Sequence, residues 1–122
     1  MKRDMDLIRE ILFEIESRKL VYPRSHEVIL EGYKRSDISY HVLIMQEAGL
    51  LRAIEVSTAD ELVLHPSRLT WEGHEFLEAI KDDGIWNQAK DVVLEKGGGL
   101  VFDVLQAVLV QIIKNAVLSE LT

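Results

Sequence analysis

Apolar and polar residues alternate with a helical period through most of the chain. Leu7, Ile8, Ile11, Leu12 and Ile15 recur at three- and four-residue spacing. That is the mark of a helix with one buried stripe, so a helix is predicted over Asp6–Arg18. Arg9, Glu10, Glu14, Glu16 and Arg18 line its other faces, and Phe13 falls off the stripe. Pro23 ends the segment by position 22. Val28, Ile29 and Leu30 then make a short apolar run that suits a small strand or one helical turn, and Gly32 breaks it. A second helix is predicted over Ser36–Ala48, with Ser36 or Asp37 as its cap. It carries Ile38, Val42 and Met45 on one face and stops at Gly49.

After Gly49 the pattern changes. Leu50–Val56 interposes Arg52 and Glu55 among apolar residues and fits a strand, Ser57–Asp60 fits a turn, and Glu61–Leu64 fits a returning strand. His65-Pro66-Ser67 reads as loop. The result is a hairpin, or wing, over Leu51–Leu64 whose tip carries no Lys or Arg. Thr70 is the expected cap of a helix over Trp71–Lys81, with Trp71, Leu77 and Ile80 inward and Phe76 on a neighbouring line. Asp82-Asp83-Gly84 interrupts the pattern. Another helix follows over Ile85–Lys96, with Trp86, Ala89, Val92 and Val93 inward. Gly97-Gly98-Gly99 is expected to act as a hinge. The last predicted helix, Leu100–Leu118, is apolar over more than a narrow stripe, and its only charges are Asp103 and Lys114. The expected fold class is mainly α with a small β hairpin. A winged helix-turn-helix-like domain would span residues 1–83, and a C-terminal helical extension residues 84–122.

Composition narrows the function. The 122 residues suffice for one real core, and the 48% hydrophobic content argues for a folded chain. The absence of cysteine excludes disulfide and thiolate chemistry. The charged start shows no signal-peptide pattern, so a cytoplasmic location is expected. The net charge of -7 weighs against nucleic-acid binding, which draws most of its affinity from phosphate contacts, although an acidic chain can still carry a basic face. His26, His41, His65 and His74 lack tight ligand spacing, so no metal is expected. Gly97–Gly99 leads into Leu100-Val101-Phe102, poor company for a phosphate, so neither a cofactor nor an enzyme activity is expected. The last helix has the length to cross a membrane, but Asp103, Gln106, Gln111, Lys114 and Asn115 would be costly in lipid. No membrane is therefore expected. The helix would close the core or join two chains in a homodimer.

The most informative stretch is Ile38-Ser39-Tyr40-His41-Val42-Leu43-Ile44-Met45-Gln46-Glu47-Ala48-Gly49-Leu50-Leu51. A helix buried on one face that runs directly into a hairpin is how a winged helix presents its recognition helix. Ile38, Ser39, His41, Val42, Met45, Ala48, Gly49 and Leu50 resemble that helix in the bacterial winged-helix repressors of the metal-sensing and multidrug type. Leu69, Thr70 and Gly73 resemble the Leu-Thr-x-x-Gly segment that follows their wing. One departure is the helix that normally precedes recognition, reduced here to a short piece before Gly32. The chain more closely resembles an uncharacterised family, a domain of unknown function, of bacterial and phage-encoded winged-helix proteins. Residues 1–9, Gly32-Tyr33, Tyr40-His41, Glu47–Leu50 and Leu69–Leu77 carry that resemblance. It implies the fold and brings no activity with it.

The function expected from these features is a DNA-binding transcriptional regulator of bacterial or phage origin with double-stranded DNA as its partner. Its candidate contacts are Lys34, Arg35, Ser39, Tyr40, His41, Leu43, Gln46 and Arg52. Each has a plainer alternative. Lys34, Arg35 and Arg52 also suit ordinary solvated surface, and Tyr40 and His41 also suit local packing. The competing function is a protein-interaction module on the same scaffold without DNA binding. The acidic balance, the wing tip without cations and the outward Leu43 and Ile44 favour it.

Overall fold

The computed structural model describes residues 2–18, 25–96 and 99–121. The chain is mainly α-helical with one two-stranded antiparallel hairpin, an architecture consistent with a winged helix. In order it forms α1 (Met5–Ser17), α2 (Arg35–Glu47), β1 (Leu51–Glu55), β2 (Leu64–Leu69), α3 (Trp71–Ile80), α4 (Asp83–Glu95) and α5 (Phe102–Ser119). It divides into two compact units, Met1–Glu75 and Phe76–Thr122, with the division inside α3. The helix end expected at Pro23, and Gly97 and Gly98 of the expected hinge, lie outside the described residues.

In the first unit, α1 packs on α2 and β2, and α2 packs on both strands. The predicted stripe of α1 is buried in full, joined by Met5. Asp4 caps the helix: its carboxylate accepts the Asp6 amide at 2.9 Å and the Leu7 amide at 3.2 Å. Residues 25–30 form neither of the structures expected for them. Two of their carbonyls, His26 and Glu27, accept from the Arg18 guanidinium at 2.8 and 2.6 Å. Val28 alone of that run is buried. The second helix opens one residue early, at Arg35, and its cap residue Lys34 makes no side-chain cap bond, so Ser36 and Asp37 lie within the first turn rather than at the cap.

The end of α2 follows the residue pattern closely. Gly49 has φ +81°. Its amide bonds the Gln46 carbonyl at 3.0 Å, and the Leu50 amide bonds the Met45 carbonyl at 2.9 Å. This paired closure needs the left-handed conformation that glycine adopts without penalty. The hairpin departs from expectation. β2 runs through His65-Pro66-Ser67, while Glu61 and Asp60 belong to the loop that Val56–Val63 and Thr58–Glu61 backbone bonds close. Proline is tolerated because each strand of a two-stranded ribbon has an open edge. Arg52 pairs with Arg68 and Ala53 with Pro66, so Ser67 is the extra residue of a bulge. Its hydroxyl donates to the Arg52 carbonyl at 3.0 Å.

Thr70 caps α3 as expected: its hydroxyl accepts the Gly73 amide at 3.1 Å and donates to the Gly49 carbonyl. Trp71, expected inward, is 76% exposed. It lies six and nine residues from Leu77 and Ile80, which puts it on the far side of the 3.6-residue turn.

In the second unit, Phe76, Leu77 and Ile80 are buried, as are Trp86, Ala89 and Val93 of α4. Val92, also expected inward, sits at the stripe's edge and is exposed. Asp82 caps α4 through the Ile85 amide at 2.8 Å. α4 packs on α5, and the Phe76 and Phe102 rings meet at 4.8 Å. By length and composition α5 is long and apolar enough to cross a membrane.

Candidate functional site

The candidate contacts all lie on α2, its cap residue Lys34 and the hairpin. Those contacts fall into three groups. Ser39 and His41 are turned into the core, so neither offers a side chain to a nucleic-acid groove. His41 precedes Val42 and follows Ile38 by three residues, which sets it beside the buried stripe. Its Nε2 accepts the Asp4 amide at 2.8 Å. The ring proton is therefore on Nδ1, which donates to the Asp37 carbonyl at 2.7 Å. The imidazole thus ties the cap residue of α1 to the first turn of α2. Tyr40 sets its ring edge-on to His41 at 5.9 Å and is half-buried.

A second group is engaged by the chain itself. Gln46 directs Oε1 at the Ala53 amide, 2.6 Å away, next to the bulge. Arg35 is exposed, but Glu27 binds its guanidinium through two oxygens and Glu61 approaches it at 3.4 Å. One acid comes from the segment before α2 and the other from the hairpin loop. Sequence reasoning missed both, since they lie 8 and 26 residues from Arg35 and no period links them.

The third group stays on the surface. Lys34 and Arg52 are exposed, and Leu43 is half-exposed. Ser36, Tyr40, Leu43 and Glu47 follow one another at four-, three- and four-residue steps and form one line along the outer face of α2, with Ile44 beside it. No basic residue stands on that line. The electrostatic setting is acidic. Burial, and then the carboxylates of Asp4, Glu10 and Asp6, push the Tyr33 hydroxyl above its ordinary 10.0. On the hairpin, Glu55, Asp60 and Glu61 are exposed. An open cleft of about 380 Å³ lies beside the start of α2, with Glu27, Ile29, Tyr33 and Arg35 in its lining. Among the described residues, no group of three or more His, Asp or Glu side chains could hold a metal ion.

A family model described as "Hypothetical protein (DUF2513)" matches residues 2–99. The chain is also 37% identical over 115 residues to an "Uncharacterized protein" of Haemophilus influenzae, covering 94% of this chain and 98% of that one. No solved structure matches the chain. The match takes in α1, α2, the hairpin, α3 and α4, and on that ground the chain belongs to the DUF2513 family.

Proposed function

We propose that the chain is a protein-docking module on a winged-helix-type frame, with the outer line of α2 and the adjoining hairpin as its contact face. The observation that carries this reading is the engagement of Arg35 by Glu27 and Glu61. A cation at the start of a recognition helix serves duplex DNA by replacing counterions on phosphate. Arg35 would have to leave two carboxylates to do so, and those carboxylates would remain beside the phosphates. Tyr40, Leu43 and Ile44 supply instead the aromatic and aliphatic contact area that protein interfaces concentrate at their centre.

A second reading, a bacterial or phage DNA-binding regulator, is supported by a different observation. α2 runs directly into the hairpin, as in the repressors the chain resembles, and Lys34 and Arg52 stay exposed. Fluorescence anisotropy with a random-sequence duplex at low salt separates the two readings. The docking reading expects no saturable binding, and expects a stoichiometric partner from a lysate of the chain's own host that Leu43→Asp no longer retains. Saturable duplex binding, with a salt slope that Lys34→Ala and Arg52→Ala each reduce, would overturn it in favour of DNA.

A further inference from the structure

Helix α5 has 18 residues, and only Leu105 and Leu109 among them are buried. The side opposite those two leucines carries Asp103, Ala107, Val110, Lys114 and Val117, all exposed. At 3.6 residues per turn these five fall within about 40° of a single line. Asp103, Gln106, Ala107 and Val110 line a shallow open groove along it. Val110 and Val117 are 39% and 57% exposed, so this is apolar surface that the single chain leaves in water.

The line is complementary to itself when reversed. Asp103 and Lys114 are the only charges in α5. They stand on the same face, about 16 Å apart at 1.5 Å per residue. A two-fold axis crossing the helix midway between Ala107 and Val110 would bring Asp103 of each copy to Lys114 of the other. The same axis would set each Ala107 against Val110 of the other copy, a small residue against a β-branched one. A parallel pairing would instead oppose Asp103 to Asp103 and Lys114 to Lys114, which repels at both ends.

We propose that α5 forms an antiparallel two-fold pair with α5 of a second copy, in the register that opposes Asp103 to Lys114 and Ala107 to Val110. Such an interface is isologous, and its symmetry makes each ion pair occur twice. The pairing is independent of what α2 contacts.

Sedimentation equilibrium of the full chain tests it. The 14.0 kDa chain should sediment as a species of twice that mass. Lys114→Glu and Asp103→Lys should each raise the dimer dissociation constant at least about tenfold, since two attractive pairs become repulsive at once. The combined D103K/K114E chain should return close to the wild-type value. Ala107→Glu, at an exposed position, should also dissociate the dimer while far-UV circular dichroism stays unchanged. A chain that is monomeric throughout would overturn the proposal. So would single reversals that leave the constant unchanged, as a parallel pair would because each reversal still opposes like charges, or that strengthen association. Flotation of a monomeric chain with phosphatidylcholine–phosphatidylglycerol vesicles would show that lipid covers this face, and would overturn it as well.

Discussion

Replacing Gly73 with alanine sets two effects of opposite sign against each other. Gly73 is the third residue of α3, and alanine in a helix is ordinarily favoured over glycine by about 0.8–1.0 kcal/mol. Here the added methyl carbon would meet the Leu50 carbonyl oxygen at 1.9 Å and its carbon at 2.9 Å, where ordinary contact begins at 3.4 Å. The obstacle is backbone, so no side chain can swing away. The first turn of α3 would have to withdraw from the start of β1. That movement pulls on the Thr70 amide, which bonds the same Leu50 carbonyl at 3.0 Å, and on the Thr70 hydroxyl, which donates to Gly49. Overpacking costs about 1–3 kcal/mol. Weakening two hydrogen bonds adds about 1–2 kcal/mol, and the helix gain returns about 1. Gly73→Ala should therefore destabilise the chain by about 1–4 kcal/mol. Urea unfolding followed by circular dichroism at one chain concentration measures this as a lower midpoint with an unchanged slope. A variant as stable as the wild type, or more so, would refute the close approach of α3 to β1.

Further outcomes follow from single side chains. His41→Leu removes the acceptor of the Asp4 amide and leaves that amide part-buried, so it should cost about 1–3 kcal/mol in the same unfolding experiment. Gln46→Leu should speed hydrogen exchange at the Ala53 amide selectively and lower stability by about 1 kcal/mol, while leaving exchange within α1 unchanged. Tyr33 should titrate above 10.0 in an absorbance titration at alkaline pH, and Tyr33→Phe should remove that step. Because the folded value is raised, this group has no pH effect on stability below its unfolded value. Its contribution is lost as the pH climbs through the raised value, since the folded chain then disfavours the phenolate.

Much of the frame was legible because its causes are local. The stripe of α1 needs only the spacing of Leu7, Ile8, Ile11, Leu12 and Ile15. The end of α2 needs only a glycine at the residue that turns left-handed, and α3 needs only a threonine before its first turn. The boundaries that moved have less local causes. β2 includes Pro66 because the ribbon has an open edge there and a bulge at Ser67, and both depend on pairing with Arg52 and Ala53. Apolar character alone points Trp71 and Val92 inward, but their angular positions lie off the stripes that pack.

The candidate contacts divide in the same way. The residues themselves determined that α2 would present one outer line and run into a hairpin, and that the final helix would be apolar with two opposite charges. Only the tertiary structure decided which polar side chains remain on offer. His41 turned inward to Asp4, 37 residues away; Arg35 met Glu61, 26 residues away; Gln46 closed on Ala53 across the helix–strand junction. Helical and strand periods report which face of an element is apolar. They carry nothing about which surfaces meet once the elements pack, and that meeting engages the polar groups on α2.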